Sequence, residues 1–176
     1  MNAGKAATQG VEVEILAVPF EGAQIRGSIG YLDATYDTFE SISDLDGEPI
    51  DRAGQRFIGV PDLQSYLSFQ YSFGIEAGGP GWLDGWITPR VDWAYNAAIN
   101  WAGTEVPQAT QRGYNLLHAR LSYDFLDDRA QVALWGRNLT DEANFNFVSP
   151  FVSTFGNLVW YYAPPRTYGA ELSYRF

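Results

Sequence analysis

The sequence predicts an all-β fold: an antiparallel transmembrane β-barrel segment of about seven strands, an incomplete part of a larger barrel. Three observations predict it. Hydrophobicity alternates with a period of two along nearly the whole chain, the charges within the alternating stretches fall on one face, and the connections alternate between short and long.

Residues 10–18 open the pattern, with Val11, Val13 and Ile15 facing away from Glu12 and Glu14. In 23–34, Ile25, Gly27, Ile29 and Tyr31 oppose Arg26. The stretch 60–73 is the clearest, since Leu67, Phe69 and Tyr71 alternate with polar residues and Asp62 lies on the other parity. In 82–96, Ile87, Val91, Trp93 and Tyr95 oppose Asp84, Arg90 and Asp92, while Pro89 departs from ideal ladder pairing and marks an interruption or bulge. Residues 113–125 set Leu117, Ala119, Leu121 and Tyr123 against His118, Arg120 and Asp124. Residues 129–139 set Val132 and Leu134 against Arg129 and Arg137. The last stretch, 166–176, sets Tyr168, Ala170, Leu172, Tyr174 and Phe176 against Glu171 and Arg175.

A soluble barrel also alternates, with its apolar face turned inward, so alternation alone does not specify a membrane. The rings do. On the apolar face Tyr31, Trp93, Tyr95 and Tyr168 gather at one rim, and Tyr71, Phe73, Tyr123, Phe125, Tyr174 and Phe176 at the other, around an aliphatic band. Amphipathic rings prefer the lipid–water interface, whereas a soluble core gives no reason for two girdles. Tyr168 to Phe176 covers roughly 20 Å of membrane depth at the usual rise and tilt, against an apolar band of about 25 Å. The connections near 19–22, 74–81 and 126–128 are short and those near 35–59, 97–112 and 140–165 are long, as in outer-membrane barrels with short periplasmic turns and long external loops. Bacterial barrels have even strand numbers, so about seven predicts a piece of a wall; one missed strand would make a complete eight-stranded barrel instead.

Composition removes several function classes. A net charge of −10 without a basic run argues against nucleic acid as a partner. The chain has no Cys and a single His, which removes disulfides, thiolate metal sites and cysteine nucleophiles. No apolar run is long enough for a membrane helix, and Met1-Asn2-Ala3-Gly4-Lys5 lacks the apolar core of a secretory signal, so the expectation is that this is not the natural start of an exported protein.

Ala133-Leu134-Trp135-Gly136-Arg137-Asn138-Leu139-Thr140-Asp141-Glu142, followed by an aromatic-rich loop and by Pro165-Arg166-Thr167-Tyr168-Gly169 and Leu172-Ser173-Tyr174-Arg175-Phe176, resembles the ending of TonB-dependent receptors. Asn2-Ala3-Gly4-Lys5-Ala6, Gly10-Val11-Glu12-Val13-Glu14 and Gly30-Tyr31-Leu32-Asp33-Ala34-Thr35-Tyr36 resemble an internal stretch of the same barrels. The resemblance implies a barrel of about 22 strands plugged by an amino-terminal domain, in the bacterial outer membrane, importing ferric siderophores, cobalamin or sugars with energy relayed by TonB. It places all of 1–176 in the carboxy-terminal barrel region, with the plug absent and TonB reached only through it. Tyr168, Ala170, Leu172, Tyr174 and Phe176 resemble the terminal signal read by the barrel-assembly machinery; a last strand that simply faces lipid has the same pattern.

Three groups are candidate sites. Rings at Phe145, Phe147, Phe151, Phe155, Trp160, Tyr161 and Tyr162, joined by Trp101 from a neighbouring loop, are placed to stack on a small-molecule ligand at the mouth; the alternative is packing of loop on loop. Arg90, Asp92, His118, Arg120 and Asp124 are expected on the lumen wall, the ionised ones in a cross-strand network. Asp44-Leu45-Asp46-Gly47-Glu48 resembles part of a calcium loop but lacks the ligand spacing, and a solvated acidic loop is the simpler reading. No catalytic, metal or cofactor residues are assigned, since no nucleophile–base grouping accompanies His118. Asn138-Leu139-Thr140 matches a glycosylation sequon, which in a bacterial barrel is chance. The rival to a transporter is a small autonomous barrel with a structural or adhesive role, requiring an eighth strand from 1–9 against Phe176; a barrel enzyme comes third.

Overall fold

The computed structural model describes residues 4–176 apart from 77, 80 and 105, and all their strand and helix side chains except that of Phe151; the quoted residues 1–3 lie outside the described residues. Seven long strands make the wall. They are β1 (Lys5–Ala17), β2 (Ala23–Thr38), β5 (Leu63–Tyr71), β7 (Gly85–Asn96), β10 (Tyr114–Phe125), β11 (Ala130–Arg137) and β14 (Thr167–Tyr174), with the short β3 (Glu40–Ile42), β4 (Pro49–Asp51), β6 (Phe73–Ile75), β8 (Ile99–Asn100), β9 (Thr110–Gln111), β12 (Phe145–Phe151) and β13 (Asn157–Tyr162) between them. The wall strands pair antiparallel in the order β1-β2-β5-β7-β10-β11-β14, so β1 and β14 are the edges of an open sheet. Because neighbours in sequence are neighbours in space, the short turns lie at one end of the sheet and the long connections at the other.

The register turns the parity of the sequence into two unlike surfaces. Leu67, Trp93 and Leu117 stand side by side, as do Leu121, Leu134 and Ala170, and Tyr123, Val132 and Leu172. One step along, Ser68, Asp92 and His118 form a row, and so do Gln70, Arg90 and Arg120. The apolar side is uncovered: Ile29, Leu67 and Leu121 are 48%, 49% and 46% exposed. In water such a face costs free energy at every residue, and it is stable only against a solvent of its own kind. At the short-turn rim Tyr71 stacks on Phe73 and Tyr123 on Phe125, and at the other rim Trp93 stacks on Tyr95.

Pro89 leaves β7 continuous and instead interrupts its neighbour. β5 and β6 keep one register against β7, with Gln70 facing Arg90 and Phe73 facing Ile87, so they are a single strand broken around Ser72. Pro89 has no N–H to give, and the ladder lapses beside it. Two substitutes hold the gap: Ser72 Oγ and Thr88 Oγ1 lie 2.8 Å apart, and Ser72 N donates to Gly22 O at 2.8 Å. Gly22 sits at φ +82° in the β1–β2 turn, and a Cβ there would meet Ser72 O at 2.2 Å, so this turn needs glycine.

Two expectations change. The first two strands run beyond 10–18 and 23–34 to Lys5 and Thr38, because ladder bonds continue past the apolar band after alternation has faded. The long connections are not featureless either. Residues 40–51 and 145–162 each form a β-hairpin, the second closed by the short helix α1 (Val152–Phe155).

Candidate functional site

The polar wall is an arranged surface. Arg90 and Arg120 face each other directly in the β7–β10 register, a destabilising placement for like charges. They resolve it by turning apart. Arg90 donates through Nε and Nη2 to Asp92 Oδ1 at 2.9 and 2.7 Å, and through Nη2 to the Tyr66 hydroxyl at 3.0 Å, while that hydroxyl donates to Asp92 Oδ1 at 2.5 Å. Arg120 reaches the other way, to Glu171 Oε2 at 3.1 Å and Gln131 Oε1 at 3.0 Å, and Gln131 Nε2 donates to Asp124 Oδ1 at 2.6 Å. The network therefore includes an i,i+2 pair within one strand as well as cross-strand links. Tyr66, Gln131 and Glu171 complete it; Tyr66 was legible only as a polar-side residue once the register is known.

His118 has a different task. Its Nδ1 accepts the backbone N–H of Asn138 at 3.0 Å, at the point where β11 gives way to the last long connection. Asn138 is buried at φ +49°; its Oδ1 accepts Glu142 N at 2.9 Å and its Nδ2 donates to Glu142 O at 2.9 Å and Pro164 O at 3.4 Å. One side chain thus ties both ends of that connection together. The sequon reading fails on burial alone, since a 4% exposed Asn offers no acceptor for a glycan.

Above the wall the three long connections form one cap with its own small core of Ala102, Val106, Ala109 and Val148, against which Trp101, Phe145, Val152 and Leu158 pack. Gly59 N donates to Asn100 O at 2.7 Å, Phe145 N to Gln111 Oε1 at 3.0 Å and Ser153 N to Asp44 O at 2.9 Å, so every connection is bonded to another. Arg52, 1% exposed and missed by the sequence pattern, pairs with Asp44 at 3.3 Å. Ser43, then the Glu48 backbone N–H, hold the Asp46 carboxyl below its ordinary value. Among the described residues no three acidic or His side chains converge on one point.

The eight aromatic candidates do not share one environment. Trp101 meets Phe147 edge-on at 5.6 Å across two connections, so part of the set packs loop on loop, while Phe145 meets Tyr162 edge-on at 4.9 Å within the 145–162 hairpin. Phe155, Trp160, Tyr161 and Tyr162 are 69%, 40%, 53% and 65% exposed and present rings outward; the side chain of Phe151 lies outside the described residues.

A family model for the TonB dependent receptor-like β-barrel matches residues 1–139. The chain belongs to the TonB-dependent receptor β-barrel family. Among solved structures it is similar to the ferric yersiniabactin uptake receptor FyuA from Yersinia pestis, with TM-score 0.78 and 19% identity over 99% of this chain and 24% of that one. BauA, the ferric preacinetobactin receptor from Acinetobacter baumannii, aligns with TM-score 0.68 and 20% identity over 99% of this chain and 23% of its own. The siderophore receptor PiuA from the same organism aligns with TM-score 0.67 and 16% identity over 96% of this chain and 21% of its own. No curated protein matches the sequence. The chain thus spans about a quarter of the length of these structures, and its open seven-stranded wall is a partial TonB-dependent receptor barrel.

Proposed function

We propose that this chain is the carboxy-terminal barrel region of a bacterial outer-membrane receptor that takes up a ferric siderophore-like chelate with TonB-relayed energy. The supporting observation is the two-sided wall: an uncovered apolar face between stacked-ring rims, backed by an ion-paired polar face in the same register. Only a wall between hydrocarbon and a wet or protein-filled lumen satisfies both faces. Siderophores are preferred over cobalamin and sugars because FyuA, BauA and PiuA are all named for siderophore uptake or recognition.

In this reading Arg90, Asp92, His118, Arg120 and Asp124 line the lumen, and the outward rings of the cap contact the chelate. TonB acts through a plug, and Tyr168, Ala170, Leu172, Tyr174 and Phe176, one face of the last strand, address the barrel-assembly machinery. The strand order lends no support to a small autonomous barrel, since Lys5–Gln9 already pair with β2 and no described strand joins β1 to β14. Radioiron uptake with a panel of ferric chelates, in iron-starved cells with and without the gene, tests the proposal. At least one chelate loses protonophore-sensitive uptake on deletion and regains it on complementation; unchanged uptake across the panel overturns it.

A further inference from the structure

The ladder between β10 and β11 ends with Ala119 opposite Gly136, and the chain then turns out of the sheet at Asn138, whose φ is +49°. Backbone N–H groups leaving a ladder into a buried site still need acceptors. The Leu139 N–H donates to the Leu117 carbonyl at 2.8 Å, but the Asn138 N–H donates to a side chain, His118 Nδ1, at 3.0 Å. An imidazole nitrogen accepts only while it carries no proton. The bond therefore exists in one protonation state of His118 and not in the other.

More than one amide hangs on this bond. Asn138 is buried; its Oδ1 accepts the Glu142 N–H, and its Nδ2 donates to Glu142 O and Pro164 O, which ties the two ends of the last long connection together. That connection carries the 145–162 hairpin. His118 thus holds the backbone of the residue that holds the hairpin.

The groups around the imidazole supply no substitute. Asp92 stands opposite it on β7, with Arg90 two residues away; Tyr66 comes from β5, Arg120 from β10 itself, Arg137 from β11 and Glu171 from β14, and all of them line one cavity with it. Asp92 already accepts from Arg90 and Tyr66, and Glu171 from Arg120. Even a protonated ring drawn toward one of these carboxylates presents Asn138 with a donor, since both imidazolium nitrogens carry hydrogen.

We propose that His118 is a proton-operated latch: neutral, it fastens Asn138 and the last long connection to the wall, and protonated, it releases them. The latch is a property of the fold and goes beyond the transport reading, on which only a consequence for ligand contact would rest. Imidazole is the side chain that changes charge between about pH 5 and 8, and the chain has a single His, so that window isolates this residue.

The protein is purified in detergent from outer membranes of the host, and amide exchange is followed at about pH 5 and about pH 8, each rate divided by the intrinsic rate at that pH. In wild type, protection of Asn138, Leu139 and Glu142 is expected to fall about tenfold at the lower pH, the scale of one buried hydrogen bond, while Leu121 and Leu134 in the ladder stay protected. His118→Asn places a carbonyl oxygen where Nδ1 stands and does not titrate, so it should hold protection at both pH values. His118→Phe removes the acceptor and should be weakly protected at both, with a heat-modifiable band to show that it is folded; the wild-type and His118→Asn arms decide the question even if it is not. Equal protection of the three amides at the two pH values in wild type, or an acid loss that His118→Asn shares, overturns the latch. Exchange is read without ligand, so a failure of radioiron uptake overturns the functional reading and leaves the latch standing.

Discussion

The wall and the cap solve the same problem for opposite solvents. In the wall, large apolar side chains such as Val91 and Leu134 stand uncovered and order comes from the ladder; in the cap, Ala102, Val106, Ala109 and Val148 are 1% exposed or less and order comes from a core. A water-soluble hairpin turns its apolar side chains inward and a lipid-facing strand turns them outward, so a polar substitution should have opposite consequences in the two regions.

The largest test of that contrast is Val91→Arg, at mid-strand on the apolar face. We expect a cost of about 2–4 kcal/mol for an arginine at mid-bilayer. The folded band on a heat-modifiability gel should disappear, and a wild-type band would show that this face does not meet lipid. Next comes Asn138→Ala, at the junction of the two regions. Losing three side-chain hydrogen bonds and placing Ala at φ +49° should loosen the last connection by about 2–3 kcal/mol, seen as faster amide exchange at Glu142 and Ala163 with β10 and β11 still protected.

Val148→Ala should act on the cap alone. A cavity in so small a core costs about 1–2 kcal/mol, which should speed proteolysis within 145–162 while the heat-modifiable band stays in place. Smallest is the acid response of the 40–51 hairpin. The lowered Asp46 carboxyl stabilises the hairpin fully above the ordinary aspartate value of about 3.9, and this contribution is lost as the pH falls through the lower folded value. Asp46→Asn should remove that dependence from hairpin proteolysis measured across acidic pH.

How far each region was legible in the sequence follows the same division. The wall was readable because a ladder forces strict alternation and a bilayer forbids exceptions at mid-depth, so Val11 to Phe176 announced their faces one residue at a time. Even there, Pro89 showed an irregularity without showing that the neighbouring strand around Ser72 would absorb it. The long connections had no period to read: Phe145–Tyr162 looked like a ring-rich loop and is a hairpin, and nothing local marked Arg52 for burial beside Asp44.

The sequence by itself determined the strand parity, the two ring belts and the alternation of short and long connections, because each depends on nearest neighbours along the chain. Tertiary structure alone decided which residues stand opposite one another. Only in the sheet do Arg90 and Arg120 meet and turn apart to Asp92 and Glu171. Register is set by the pairing of distant segments, and no single segment carries it.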